Sequence, residues 1–367
     1  MGDLTVGIKD IIDVEGIPTR NGSAASADAR PAVNDAAVVA ALRAAGARIV
    51  GKTATTEFAF TDPTDCRNPY DLTRSPGGSS SGSGAAVAAG LVDLALGTQT
   101  AGSLCRPAAY CGVVGLKPTF GALSTEGVTS LARSFDTVGV IARSVDVAQR
   151  AFKVLAGDVG LSARQPLKVA AWLLPGDVQP TADMQDALDN AAQALANCAA
   201  VKGAVSPPCE TSAIVSAHRT VMLAEAAEAH GAFLASERAE RLRPKFREAL
   251  VAGTKLGAHE VDTARKTLFA AREAFWRALA EIDVILTLPV PEGAPHLDGS
   301  TGFQDWLTPW TVFGGPLVSL PWGLDRVGRP RAVMLAGKPG ADLSLLGLAH
   351  LLEQVAPELP APVPPPA

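Results

Sequence analysis

Apolar and polar residues change their period along the chain, and each change marks an element. Over 31–46 the run PAVNDAAVVAALRAAG has helical spacing: Val38 and Leu42 share a face, Asn34 or Asp35 stands where a cap belongs, and Gly46 suits the position after the last turn. ARIVG then predicts a short buried strand. A small-residue helix over 85–89 and a buried strand in VDLALG follow. Helices and strands alternate through this half, as in a mixed α/β fold.

From about 211 to 280 the chain turns alanine-rich, and EAAEAHGAFLASERAERL and ARKTLFAAREAFWRALAEI predict a layer of long amphipathic helices. VILTLPV (284–290) and RAVMLAG (331–337) return to the sheet. LSLLGLAHLLEQV closes as a helix with Leu345, Leu348, Leu352 and Val355 on one face. The elements interleave, so the expectation is one domain over 1–355, with 211–280 as its helix-rich segment. PELPAPVPPPA, over 356–367 with the residue before it, is expected to be an extended, mobile tail, because proline fixes φ and removes donors.

Composition narrows the function. With 367 residues, 47% of them hydrophobic, the chain can bury a large core, and a net charge of -5 without a basic cluster argues against a nucleic-acid partner. No uncharged apolar run reaches the roughly 18 residues of a membrane span, and MGDLTVGIKD lacks the basic-then-apolar order of a signal peptide. The start also fails as a myristoylation signal, since Val6 stands where Ser or Thr is needed. A cytoplasmic protein with no membrane contact is expected. Cys66, Cys105, Cys111, Cys198 and Cys209 are odd in number and show no CxxC spacing, which suits reduced thiols and no metal site.

Three motifs compete for the chemistry. GARIVGKT (46–53) satisfies the phosphate-loop pattern, but a helix precedes it and its interior reads as a strand, where a phosphate loop needs a strand, a glycine turn and a helix in that order. GSSSG (78–82) fits a nucleophile elbow centred on Ser80. It follows the proline-broken RNPYDLTRSPGG rather than a strand, and none of His218, His230, His259, His296 and His350 stands in a partner signature.

The third candidate is three pieces in order: VGIKDIIDVEGIPTRNGS around Lys9, SPGGSSSGSGAAVAAG, and GTQTAGSLCRPAAYCGVVGLKPT with Ser103. Together they resemble the amidase signature family. SFDTVGVIARSVDVA, DVILTLPVPEGAP and FGGPLVSLPWG extend the likeness over nearly the whole chain. The resemblance implies a single domain with a central mixed β-sheet flanked by helices. It implies a Ser-cisSer-Lys triad, with Lys9 as base, Ser79 as bridging serine and Ser103 as nucleophile of an acyl-enzyme, and no organic cofactor or metal. Family members carry some tens of residues before the lysine segment, so the N-terminal helices are expected to be shortened and the surface left there to be covered, a homodimer being one way.

The residues suit that chemistry. A lysine acts as base only when neutral, which requires its pKa to fall about three units from about 10.4, an adverse shift of roughly 4 kcal/mol that burial can supply. Val6, Ile8, Ile11 and Ile12 give Lys9 an apolar frame, and Asp10 falls on the opposite face of the strand. The glycine-containing turn of Thr100, Ala101, Gly102 and Ser103 is expected to direct its backbone N–H groups at one point, as an oxyanion hole. Ser80, Ser81 and Ser83 are read as supports or helix caps.

Arg106 stands three residues after Ser103, where many family members place arginine at the second position. That shift resembles the malonamidase branch and implies a clamp for the carboxylate of a short, malonamate-like amide. Pairing with an internal carboxylate or with backbone carbonyls is the alternative. The expected activity is hydrolysis of a small amide. An ammonia-releasing amidotransferase subunit of the same family and a catalytically silent binding protein are the rivals.

Overall fold

β1 (Thr5–Lys9) runs parallel between β2 (Arg48–Thr53) and β3 (Leu94–Gln99). Antiparallel neighbours follow in the order β5 (Thr137–Ala142), β4 (Val114–Lys117), β9 (Leu317–Leu324), β10 (Pro330–Gly337) and β8 (Val284–Thr287). β6 (Lys168–Ala171) and β7 (Ala200–Lys202) run parallel to β8 at the far edge. This computed structural model describes residues 1–157, 167–171, 178–196, 200–202 and 210–362, and the ten strands among them form one mixed sheet. The expected α/β architecture is the observed one.

The alternation within β3 decides which helices come close. Leu94 and Leu96 face the large core beneath α1 (Ala37–Ala44) and α4 (Val145–Ala156). Ala95 turns to the other side, where Leu104 and Ala108 of the segment around α3 (Cys105–Tyr110) meet Val87 of α2 (Ser81–Ala88). Gly97 is small for the same reason: a Cβ there would lie 2.8 Å from both Ser80 Oγ and Leu104 Cδ2. The helix-rich segment supplies α6 (Thr211–His230), α7 (Pro244–Gly253) and α8 (Ala258–Ala278), and α9 (Leu307–Phe313) packs on α6. No helix among the described residues is long and apolar enough to cross a membrane.

Some local expectations are corrected and others hold. The ARIVG strand is β2, an edge strand with Val50 half exposed, because nothing in a short apolar run specifies whether a neighbour will cover it. The helix expected over 31–46 begins only at Ala37 and has no side-chain cap; Asp35 instead accepts from Arg43 Nε at 2.7 Å and from Glu15 N. In the closing helix α10 (Asp342–Glu353), Leu345, Leu348 and Leu352 are buried, whereas Val355 lies beyond its end and is exposed. Cys66, Cys105 and Cys111 are free thiols; Cys198 and Cys209 fall outside the described residues. In the expected tail, Tyr70 Oη donates to the Pro360 carbonyl at 3.0 Å, and 363–367 fall outside the described residues.

Candidate active site

β1 delivers Lys9 to the sheet interior with no exposed surface. Its Nζ donates to Ser79 Oγ at 2.7 Å and to Thr98 Oγ1 at 2.8 Å. Asp10 turns away, as its strand position requires, and pairs with Lys52 at 3.2 Å. Burial pushes the Lys9 ammonium down to about 7, against the opposing charge of Asp136. An amine that loses its proton near neutrality beside a serine hydroxyl can act as base for that hydroxyl.

The loop carrying Ser79 is held by the serines around it. Gly77 has φ +81°, and the Gly78–Ser79 peptide bond is cis. Ser81 Oγ donates to Gly77 O at 2.7 Å, Ser80 Oγ to Thr98 O at 3.3 Å, and Ser83 Oγ lies 2.8 Å from Thr53 Oγ1. These are ties rather than caps: the side chain of Ser80, at the N-cap of α2, bonds β3 instead of the helix. Gly82 N donates to Ala54 O, an approach so close that a Cβ on Gly82 would collide with the Ala54 backbone.

Ser103 lies at the end of the turn between β3 and α3 and is 7% exposed. Gln99 closes this turn, its Oε1 accepting from Leu104 N at 3.0 Å and Cys105 N at 3.1 Å. No acceptor among the described residues takes the backbone N–H groups of Thr100, Ala101, Gly102 or Ser103. Asp136 accepts from Thr100 Oγ1 at 2.6 Å, Ser130 Oγ at 2.7 Å, and the Leu131 and Ala132 amides. Burial raises its carboxyl, and these four donors oppose the shift.

Arg106 ties the two serine segments together. Its Nε and Nη2 donate to Gly78 O at 3.1 and 2.8 Å, and its Nη1 to Gly302 O at 2.8 Å. It is 2% exposed.

A profile of the amidase family matches residues 3–346. The chain belongs to that family. It is 34% identical to a glutamyl-tRNA(Gln) amidotransferase subunit of Halobacterium salinarum, with 95% of each chain covered. A solved structure described as an amidase is 32% identical, superposes with a TM-score of 0.87, and matches 96% of this chain and 85% of its own. Peptide amidase from Stenotrophomonas maltophilia is 28% identical at a TM-score of 0.84, covering 98% and 84%. The chain is accordingly an amidase-family enzyme acting on amide C–N bonds, and its malonamidase-like branch assignment is not confirmed by these likenesses.

Within this amidase-family site the guanidinium of Arg106 donates to the carbonyls of Gly78 and Gly302, with Gln304 Oε1 at 3.5 Å from Nη1, contacts that favour the second of the two roles the sequence left open. Arg106→Ala is therefore expected to lower kcat/KM equally for acid-bearing and neutral amides, and to cost about 3 kcal/mol or more of stability by leaving these buried carbonyls without a donor. Parallel assays on the two amide classes and urea unfolding check this, and a loss confined to acid-bearing amides would restore the carboxylate clamp.

Two cavities flank the site. One of about 410 Å³ is lined by Phe60, His218, Arg219, Gln304 and Asp305. The other, of about 620 Å³, reaches Thr98, Asp136, Glu126 and Arg133. Among the described residues no three His, Cys, Asp or Glu side chains converge as a metal site. Sequence reasoning missed Thr98, Gln99 and Asp136. TQT and SFD lie inside the quoted family segments, but only the folded chain brings them to Lys9 and the turn.

Proposed function

We propose that Ser103 attacks the carbonyl carbon of a small amide while its proton passes to Ser79 and the Ser79 proton passes to neutral Lys9. The tetrahedral oxyanion is held by the backbone amides of the turn. Collapse breaks the C–N bond, the leaving nitrogen takes the proton back from Lys9 through Ser79, and water then hydrolyses the Ser103 ester by the same relay. The observation that carries this reading is the fully buried Lys9 bonded to Ser79, with its pKa brought down to about 7.

For the use of the released ammonia, the likeness to the glutamyl-tRNA(Gln) amidotransferase chain favours an ammonia-supplying subunit over a stand-alone hydrolase of malonamate-like amides. The bonds of Arg106 to the Gly78 carbonyl also count against the clamp that the malonamate reading needs. The stand-alone reading is kept by the likeness to peptide amidase.

Ammonia release from a panel of primary amides, including glutamine, malonamate and neutral aliphatic amides, separates the two. Weak turnover by the isolated chain that rises with a co-purifying partner supports the subunit reading. Full turnover alone, strongest on malonamate, overturns it. No turnover by the chain with or without its partner would remove the acyl-enzyme proposal.

A further inference from the structure

The turn that carries Ser103 is anchored on its outer side, one peptide after another. In a trans peptide the C=O of one residue and the N–H of the next point in opposite directions, and the bonds of this turn are trans. Whatever fixes a carbonyl outward therefore fixes the following amide inward. Thr100 O lies 2.9 Å from His218 Nε2, in α6. Ala101 O accepts from Thr311 Oγ1, in α9. Gly102 O accepts from the Arg106 amide at 2.9 Å, the first turn leading into α3. The amides so directed are those of Ala101, Gly102 and Ser103.

The protons in this set are assigned by their partners. A carbonyl only accepts, so His218 carries its proton on Nε2, and burial keeps the ring neutral by pushing its pKa down to about 4. Phe135 fixes the plane of that ring, with centroids 4.2 Å apart. Gln99 Nε2 donates to Thr311 Oγ1 at 3.0 Å, which leaves the single hydroxyl proton of Thr311 for Ala101 O. Gln99 uses its other end on the Leu104 and Cys105 amides, so one side chain both closes the turn and orients the threonine that anchors it.

We infer that His218 and Thr311 are positioning residues for the oxyanion hole: from the helix-rich half of the chain they hold the Thr100 and Ala101 carbonyls outward, so that the Ala101 and Gly102 amides face the reacting carbonyl. This rests on Ser103 being the nucleophile. Neither side chain touches the substrate's reacting atoms. Their effect is electrostatic preorganisation, since amides already aimed at the developing negative charge need not reorient when it forms.

The test uses the rate at which a fluorophosphonate labels Ser103, because its phosphoryl oxygen develops charge where the amide oxygen would. Thr311→Val keeps the shape but removes the donor, and is expected to slow labelling about 10- to 100-fold, below the loss for deleting a hole donor outright. Thr311→Ser is expected to label within about three-fold of wild type. His218→Leu and His218→Gln form a second pair, the glutamine restoring an N–H donor, and this pair decides the matter should Thr311→Val fail to fold. The pH midpoint of labelling is expected to stay where wild type has it, since Lys9 and its surroundings are untouched. Equal rates for the donor-less and donor-bearing member of each folded pair overturn the proposal, as does a shifted midpoint accompanying the loss. Absence of label on Ser103 in the wild-type chain, located by mass spectrometry, overturns the nucleophile assignment instead, and the proposal with it.

Discussion

Ser103→Ala is expected to abolish amide turnover, and Ser79→Ala and Lys9→Ala each to lower kcat by about 10⁴- to 10⁶-fold. The three losses should not add. In the proposed relay, nucleophile, bridge and base hand protons on in sequence, so once any of them is gone the others have nothing left to do. The geometry behind this is the direct bond from Lys9 Nζ to Ser79 Oγ, with Arg106 binding the Ser79 loop to the helix that follows Ser103. Ammonia release by the single variants and the triple variant checks it. A Ser103→Ala enzyme retaining more than a small percentage of the wild-type rate would move the nucleophile elsewhere, and a triple variant far worse than the singles would dissolve the unit.

The second large effect concerns pH. The base must be neutral, so kcat/KM is expected to rise with pH and reach half its plateau near pH 7, the value to which burial brings Lys9. The same group links pH to stability. Unfolded, Lys9 keeps its proton up to about pH 10.4; folded, it releases it near 7, so between those limits the unfolded chain binds more protons and stability rises with pH. Below pH 7 the penalty for burying the charge is present in full. The slope, about 1.4 kcal/mol per pH unit in full and half that at pH 7, gives wild type about 2 kcal/mol between pH 7 and pH 9 relative to Lys9→Met, which has no such penalty to shed. Lys9→Met is thus expected to be inactive yet more stable than wild type in mild acid, reduced by whatever Ser79 and Thr98 lose with their donor. Urea midpoints of both proteins across this range test it: a pH-independent difference would mean that Lys9 is not carried into the core as an uncharged amine.

Lys9, Ser79 and Ser103 could be singled out because their short glycine-bearing or apolar segments resemble those of the amidase family, and the structure brings Lys9 and Ser79 together. Gly77, Gly82 and Gly97 answer to close approaches, and such approaches leave their mark in the sequence itself. Thr98, Gln99, Asp136, His218 and Thr311 left no such mark. Threonine, glutamine or histidine in a helix or strand looks the same whether it bonds a neighbour or a loop some 118 residues away, as His218 does with Thr100. Edge and centre of a sheet are likewise indistinguishable in a six-residue strand, hence the exposed face of β2. Arg106 was visible as unusual, but its shortest bonds go to backbone carbonyls, which every residue possesses and no sequence advertises.

The outward anchoring of the turn has a consequence for the order in which the enzyme is made. Lys9, Ser79 and Ser103 leave the ribosome early, whereas the helix bearing His218 and the one bearing Thr311 emerge much later, and β9, which pairs with β4 beside the site, later still. Between the emergence of residue 103 and that of residue 311, a growing chain holds the proposed nucleophile without both side chains that anchor its turn. On the proposal above, the full rate at Ser103 waits for those two helices, and a chain that stops short of residue 311 is expected to hold Ser103 in a slower site.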